Sequence, residues 1–121
     1  MSEEYEEILK SLSKAIEGTV FIGIIGKDGL PVSVRTNENF EKSESSAEMA
    51  GIYNTIQSTI NSLNMGNLLD FFIDTDKFGA FVSKINEAYF LVIIMHAPVN
   101  IGRCKLETRR MTPKLRQMIE Q

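Results

Sequence analysis

Few residues in this chain have the types and spacing that do chemistry, and each set falls short of a site. Gly23, Gly26 and Gly29 recur every third residue, and Gly26-Lys27 has the start of a phosphate loop. That loop requires G-x-x-x-x-G-K-[ST] with a hydroxyl to hold magnesium, and Asp28 stands where the Ser or Thr should be. The glycines read as packing and hairpin residues. Asp74-Thr75-Asp76-Lys77-Phe78-Gly79 opens like a calcium loop, but Phe78 occupies a ligand position and Ile85 stands where the bidentate Glu belongs. This segment is expected to be a hairpin turn with acidic flanks. His96 is the only histidine, so a multi-histidine metal site is excluded, and no Ser is marked as a nucleophile beside it. Cys104 is the only cysteine and falls on an apolar helical stripe, where a buried small hydrophobe is expected. No catalytic residue, metal ligand or cofactor site is expected.

Charge narrows the partners. The chain has 121 residues, a net charge of -3 and a pI near 5.2, so nothing global favours a polyanion. Glu3, Glu4, Glu6 and Glu7 form an acidic run at the start. Arg103, Lys105, Arg109, Arg110, Lys114 and Arg116 crowd the end against only Glu107 and Glu120. The basic cluster reads as a solvated face, packed beside the acidic helix or meeting an acidic protein surface, and nucleic-acid binding is not expected. No apolar run approaches the roughly 18 residues that span a bilayer, and Met1-Ser2-Glu3-Glu4 has the wrong charge for a secretory leader. A single cytosolic domain over residues 1–121, with no membrane insertion, is the expectation.

The elements follow from periodicity. Tyr5, Ile8, Leu9, Leu12 and Ile16 have helical spacing over residues 3–17, with Ser2 as cap and Gly18 as stop. Val20–Gly26 and Val32–Val34 are strand-like, and Asp28-Gly29 between them is a hairpin signal, because Gly supplies the positive φ of a tight turn. Residues 36–44 form a polar loop. Ser45-Ser46-Ala47-Glu48 reads as a capping box opening a second helix that runs to about Asn64, with Met49, Ile52, Tyr53, Ile56, Ile60 and Leu63 as its apolar stripe and Gly66 as its end signal. Leu68–Asp74, Phe78–Ile85 and Tyr89–Met95 then form an antiparallel meander, since their connections are too short for crossovers. The last run is apolar on both faces, so helices must cover both sides of the sheet. Asn100 caps a final helix with Ile101, Cys104, Thr108, Met111, Leu115 and Met118 on its stripe, kinked or restarted at Pro113 with Thr112 as cap. The order is α-β-β-α-β-β-β-α, an α+β (α/β) domain.

The second helix is the unusual element. Residues 49–69 carry no charged side chain, and charge depletion marks the centres of protein interfaces. Almost opposite its apolar stripe runs a seam of small and weakly polar residues, Ala47, Gly51, Asn54, Ser58 and Asn61. Such a seam lets another backbone approach closely, with hydrogen bonds that avoid the desolvation cost of a charge. The third strand, with Leu69, Phe71 and Ile73, follows directly. If it is a sheet edge, an isologous dimer is the commonest way to cover it.

This order, with Gly23 and Asp28-Gly29-Leu30-Pro31-Val32 in the hairpin, Ala47–Ala50 opening the second helix and Asn100-Ile101-Gly102 the last, resembles the roadblock family, the dynein light chain roadblock type. The resemblance implies a profilin-like, five-stranded antiparallel sheet, with helices one and three on one face and helix two on the other. It also implies a homodimer whose third strands pair and whose second helices lie side by side. Compact prokaryotic members bind a Ras-like small GTPase and can promote GTP hydrolysis, and this chain is similar to them. The expected surface is then Gly51, Asn54, Thr55 and Ser58 of both subunits. Two alternatives stand beside it: a light chain or scaffold subunit of a larger complex, and a small-molecule-binding profilin-like domain.

Overall fold

The computed structural model describes residues 2–37 and 39–121. Its elements are α1 (Ser2–Ala15), β1 (Thr19–Gly26), β2 (Pro31–Thr36), α2 (Lys42–Ser62), β3 (Asp70–Asp74), β4 (Phe78–Lys84), β5 (Tyr89–His96) and α3 (Ile101–Ile119). The five strands form one antiparallel sheet in the order β2-β1-β5-β4-β3. The doubly apolar β5 is thus its central strand, flanked by β1 and β4. No helix among the described residues is long and apolar enough to cross a membrane.

Alternation along the strands sorts the core into two layers. Ile22, Ile24, Phe81, Leu91, Ile93 and Met95 point to the side covered by α1 and α3, where Leu9, Leu12, Cys104 and Leu115 meet them. Phe21, Ile25, Val82, Phe90, Val92 and Ile94 point to the α2 side, where Met49, Ala50 and Tyr53 pack. Tyr53 stacks flat on Phe90, with ring centroids 4.2 Å apart. The first hairpin closes as expected: the Gly29 N–H donates to the Gly26 carbonyl and the Leu30 N–H to Asp28 Oδ1, each near 3 Å, with Gly29 at φ +88. Gly29 also lies against Ala47 and Ala50, so a side chain there would be strained in φ and press on α2.

Several boundaries differ from the sequence reading, each for a local reason. The α2 helix starts at Lys42, because the Glu41 carboxylate accepts the Glu44 N–H at 2.6 Å and acts as the cap. Ser45 and Ser46 therefore lie inside the helix and form no capping box; the Ser46 hydroxyl donates to the Lys42 carbonyl. The helix ends two residues early, at Ser62, with Asn64 and Gly66 both at positive φ in the exit. The β3 strand begins at Asp70, since only the Leu69 carbonyl reaches β4 before it. The α3 helix runs unbroken through Pro113, which lies on its exposed side while Leu115 and Met118 beyond it are buried and hold the last turns in line. Thr112 does not cap a new start; its hydroxyl donates back to the Thr108 carbonyl. Asn100 does cap α3, accepting the Arg103 N–H at 2.9 Å. The expected Ser2 cap lies outside the described side chains.

Candidate functional site

The α2 helix packs over β1 and β2 at one side of the sheet. It also reaches Phe90 of β5 and helps bury Ala80 and Val82 of β4, and it leaves the same face of β3 only half-buried. The apolar stripe read from the sequence is accordingly split. Met49 and Tyr53 are buried, and Ile56 and Ile60 half-buried, but Ile52 and Leu63 are exposed. At 100° per residue Ile52, Thr59 and Leu63 share one flank of the helix, the flank turned away from the hairpin that Asn54 meets. Met65, beyond the helix end, is 68% exposed, and half-buried Phe71 and Ile73 lie on the same side of the sheet as α2. An apolar shelf of this extent at an open sheet edge marks an association surface. Ile52, Leu63 and Met65 belong to it although the sequence reading assigns them to the core or to no site; only the position of α2 on the sheet exposes them.

The small-residue seam is divided as well. Ala47 packs against the Gly29 turn, and the Asn54 amide donates to the Lys27 carbonyl at 2.9 Å, so both tie α2 to the β1–β2 hairpin. The Thr55 hydroxyl donates to the Gly51 carbonyl within the helix, and Asn61 accepts from the Gln57 amide at 3.3 Å. Gly51 has no atom within 4 Å of where its Cβ would be, and Ser58 is exposed beside it. Gly51, Thr55 and Ser58 thus form a flat, uncharged strip directed away from the sheet. Leu69, Phe71 and Ile73 lie apart from this strip, across the shelf.

Tyr53 is held well above its ordinary value, pushed up to about 12 by burial and then by the charge of Glu87. Burial likewise raises the Cys104 thiol, which lies 3.4 Å from Met95 Sδ inside the α1–α3 core. His96 ends β5 exposed, stacked on Phe78. Among the described residues there is no group of three His, Cys, Asp or Glu placed to hold a metal. The basic residues of α3 are largely paired, and not with the acidic start of α1. Arg103 and Arg110 flank Glu107, Lys105 and Arg109 flank Asp70, and Arg103 and Arg116 donate to the Ala15 and Ile85 carbonyls. A cleft of about 580 Å³ lies between α3 and the β4–β5 turn and is lined by Leu69, Lys84, Arg109 and Arg116 among others.

This architecture is the one that the hairpin and helix motifs imply, and comparison with known proteins agrees. The Roadblock/LC7 domain family model matches residues 5–95, and the chain belongs to that family. Its fold is similar to the Roadblock/LC7 domain from Streptomyces avermitilis, with TM-score 0.86 and 16% identity over 95% of this chain and 97% of that one. It is similar to the gliding protein MglB from Thermus thermophilus, with TM-score 0.84 and 17% identity over 98% and 90% of the two chains. Profilin II from Acanthamoeba castellanii is also similar, with TM-score 0.59 and 14% identity over 93% and 94%. No curated protein matches the chain.

Proposed function

We propose that this chain is a non-catalytic homodimeric roadblock module that binds and regulates a Ras-like small GTPase. The observation that carries the reading is the division of α2 into two exposed surfaces, an apolar flank continuous with the β3 edge and an uncharged strip facing outward. The apolar flank suits a second copy. Two α2 helices side by side then present Gly51, Thr55 and Ser58 from both subunits as one platform. A platform of this kind acts on a GTPase by binding one conformation of its switch regions more tightly than the other. No arginine lies on α2, so it supplies no arginine finger, and any acceleration of hydrolysis comes from ordering the GTPase's own residues. Among the described residues no helix is long and apolar enough to cross a membrane, which suits a partner met in the cytoplasm.

Gly51→Trp tests this. The side chain enters open space, so the melting temperature and the dimer mass stay as in the wild type, while binding to a Ras-like GTPase from the same organism is lost. GTPase binding that survives the substitution, measured by interferometry in both nucleotide states, overturns the proposed platform.

A further inference from the structure

The free edge of β3 specifies how a second copy would dock, and does so from hydrogen-bond parity. The Lys84 N–H donates to the Leu69 carbonyl and the Thr75 N–H to the Phe78 carbonyl. The β3–β4 register pairs Asp70 with Ser83 and Asp74 with Gly79. In an antiparallel ladder, bonded and non-bonded pairs alternate. Odd-numbered residues of β3 therefore bond to β4, and the N–H and C=O groups of Asp70, Phe72 and Asp74 point to the open edge.

We infer that, on the homodimer reading above, two β3 strands pair antiparallel about Phe72, and that Lys105 and Arg109 hold together the acidic ends of that pairing. A two-fold partner must set even residues against even ones, or the outward groups do not meet. That parity also keeps both α2 helices on one side of the sheet, because opposed residues share a face. Centring on Phe72 matches all three outward residues of each strand; moving the centre to Phe71 or Ile73 leaves one of them opposite a residue outside β3. On the α2 side, Phe71 then meets Ile73 of the second copy. On the α3 side, Phe72 meets Phe72, and each Asp70 meets an Asp74.

Opposed carboxylates are destabilising unless a cation intervenes. The Asp70 carboxylate is already held from above: Arg109 Nη2 lies 3.3 Å from Oδ2 and Lys105 Nζ 3.8 Å from Oδ1. Both cations keep free N–H groups, with their side chains 61% and 47% exposed. Asp74 is exposed on the same face, with no ion-pair partner among the described residues. Each end of the pairing thus brings two carboxylates to two cations. Lys105 and Arg109 of the basic α3 helix, which reach no acidic group but Asp70 among the described residues, complete the edge.

Charge exchange at two exposed positions tests the inference. Arg109→Glu alone and Asp74→Lys alone each leave an uncompensated charge at both ends, and each weakens self-association about tenfold or more at low salt. The double variant restores neutrality and returns the dissociation constant to within about threefold of the wild type. As a geometric check, Phe72→Cys forms a disulfide-linked dimer on mild oxidation, whereas Phe71→Cys and Ile73→Cys do not. If the wild type self-associates but the double variant gains nothing over the single ones, or the crosslink forms at 71 or 73, the register is wrong and the homodimer reading stands. A wild type that stays monomeric by sedimentation at about 100 μM, far above the dissociation constants of stable dimers, overturns both.

Discussion

On one face of the sheet, α1 and α3 seal a layer in which Leu9, Phe81, Leu91 and Leu115 are at most 1% exposed. On the other, α2 is the single covering helix and leaves Leu63 about two-thirds exposed and Phe71 and Ile73 of β3 half-buried. The same five strands serve both layers, so the difference lies in the helices. Two helices on one side supply a complete core, while a single displaced helix on the other leaves apolar area that only another molecule can remove from water. Stability and association are thereby assigned to opposite faces, and substitutions separate them.

The largest effect is expected on the closed face. Leu115→Ala should cost about 3 kcal/mol in denaturant unfolding, because a fully buried leucine leaves a cavity. Leu63→Ala, on the open flank, should change monomer stability by less than about 0.5 kcal/mol and weaken self-association instead. Equal losses of stability in the two variants would break the contrast between the faces. A smaller effect comes from Tyr53, buried under α2. Its proton is bound more tightly in the folded state, where the value is about 12, than in the unfolded chain at about 10. Stability is therefore full below pH 10 and falls as the pH rises toward 12, by about 1 kcal/mol at pH 11. Unfolding at pH 9 and pH 11 checks this, and Tyr53→Phe should remove that part of the pH dependence. The smallest change is a gain. Thr108 Oγ1 is buried in the α3 layer without a hydrogen-bond partner among the described residues, and Thr108→Val should raise stability by about 1 kcal/mol or less. A loss there, seen as a lower denaturation midpoint, would show that the hydroxyl is satisfied.

Much of the fold is legible in the chain because the relevant signals are local. The Asp28-Gly29 turn, the Asn100 cap and the doubly apolar Tyr89–Met95 run need no distant contact to be read. The start of α2 escapes the Ser-x-x-Glu pattern because Glu41 caps through its own carboxylate. Pro113 breaks nothing because the expected break assumes a helix held only by its own hydrogen bonds, whereas buried Leu115 and Met118 hold the last turns of α3. Of the candidate surface, the absence of charge over residues 49–69 is plain in the residues themselves. Its division is not, since Asn54 and Gly51 look alike as seam residues until the hairpin approaches one and not the other.

What the amino-acid order by itself determined is the sequence of elements, their approximate lengths and the uncharged character of α2, because these follow from periodicity and turn chemistry within a few residues. Only the tertiary structure decided which side of α2 meets the sheet, which strand lies at the edge, and that Lys105 and Arg109 reach Asp70. Those outcomes depend on contacts between different elements, such as Asn54 with Lys27 and Arg109 with Asp70, and no local spacing records them.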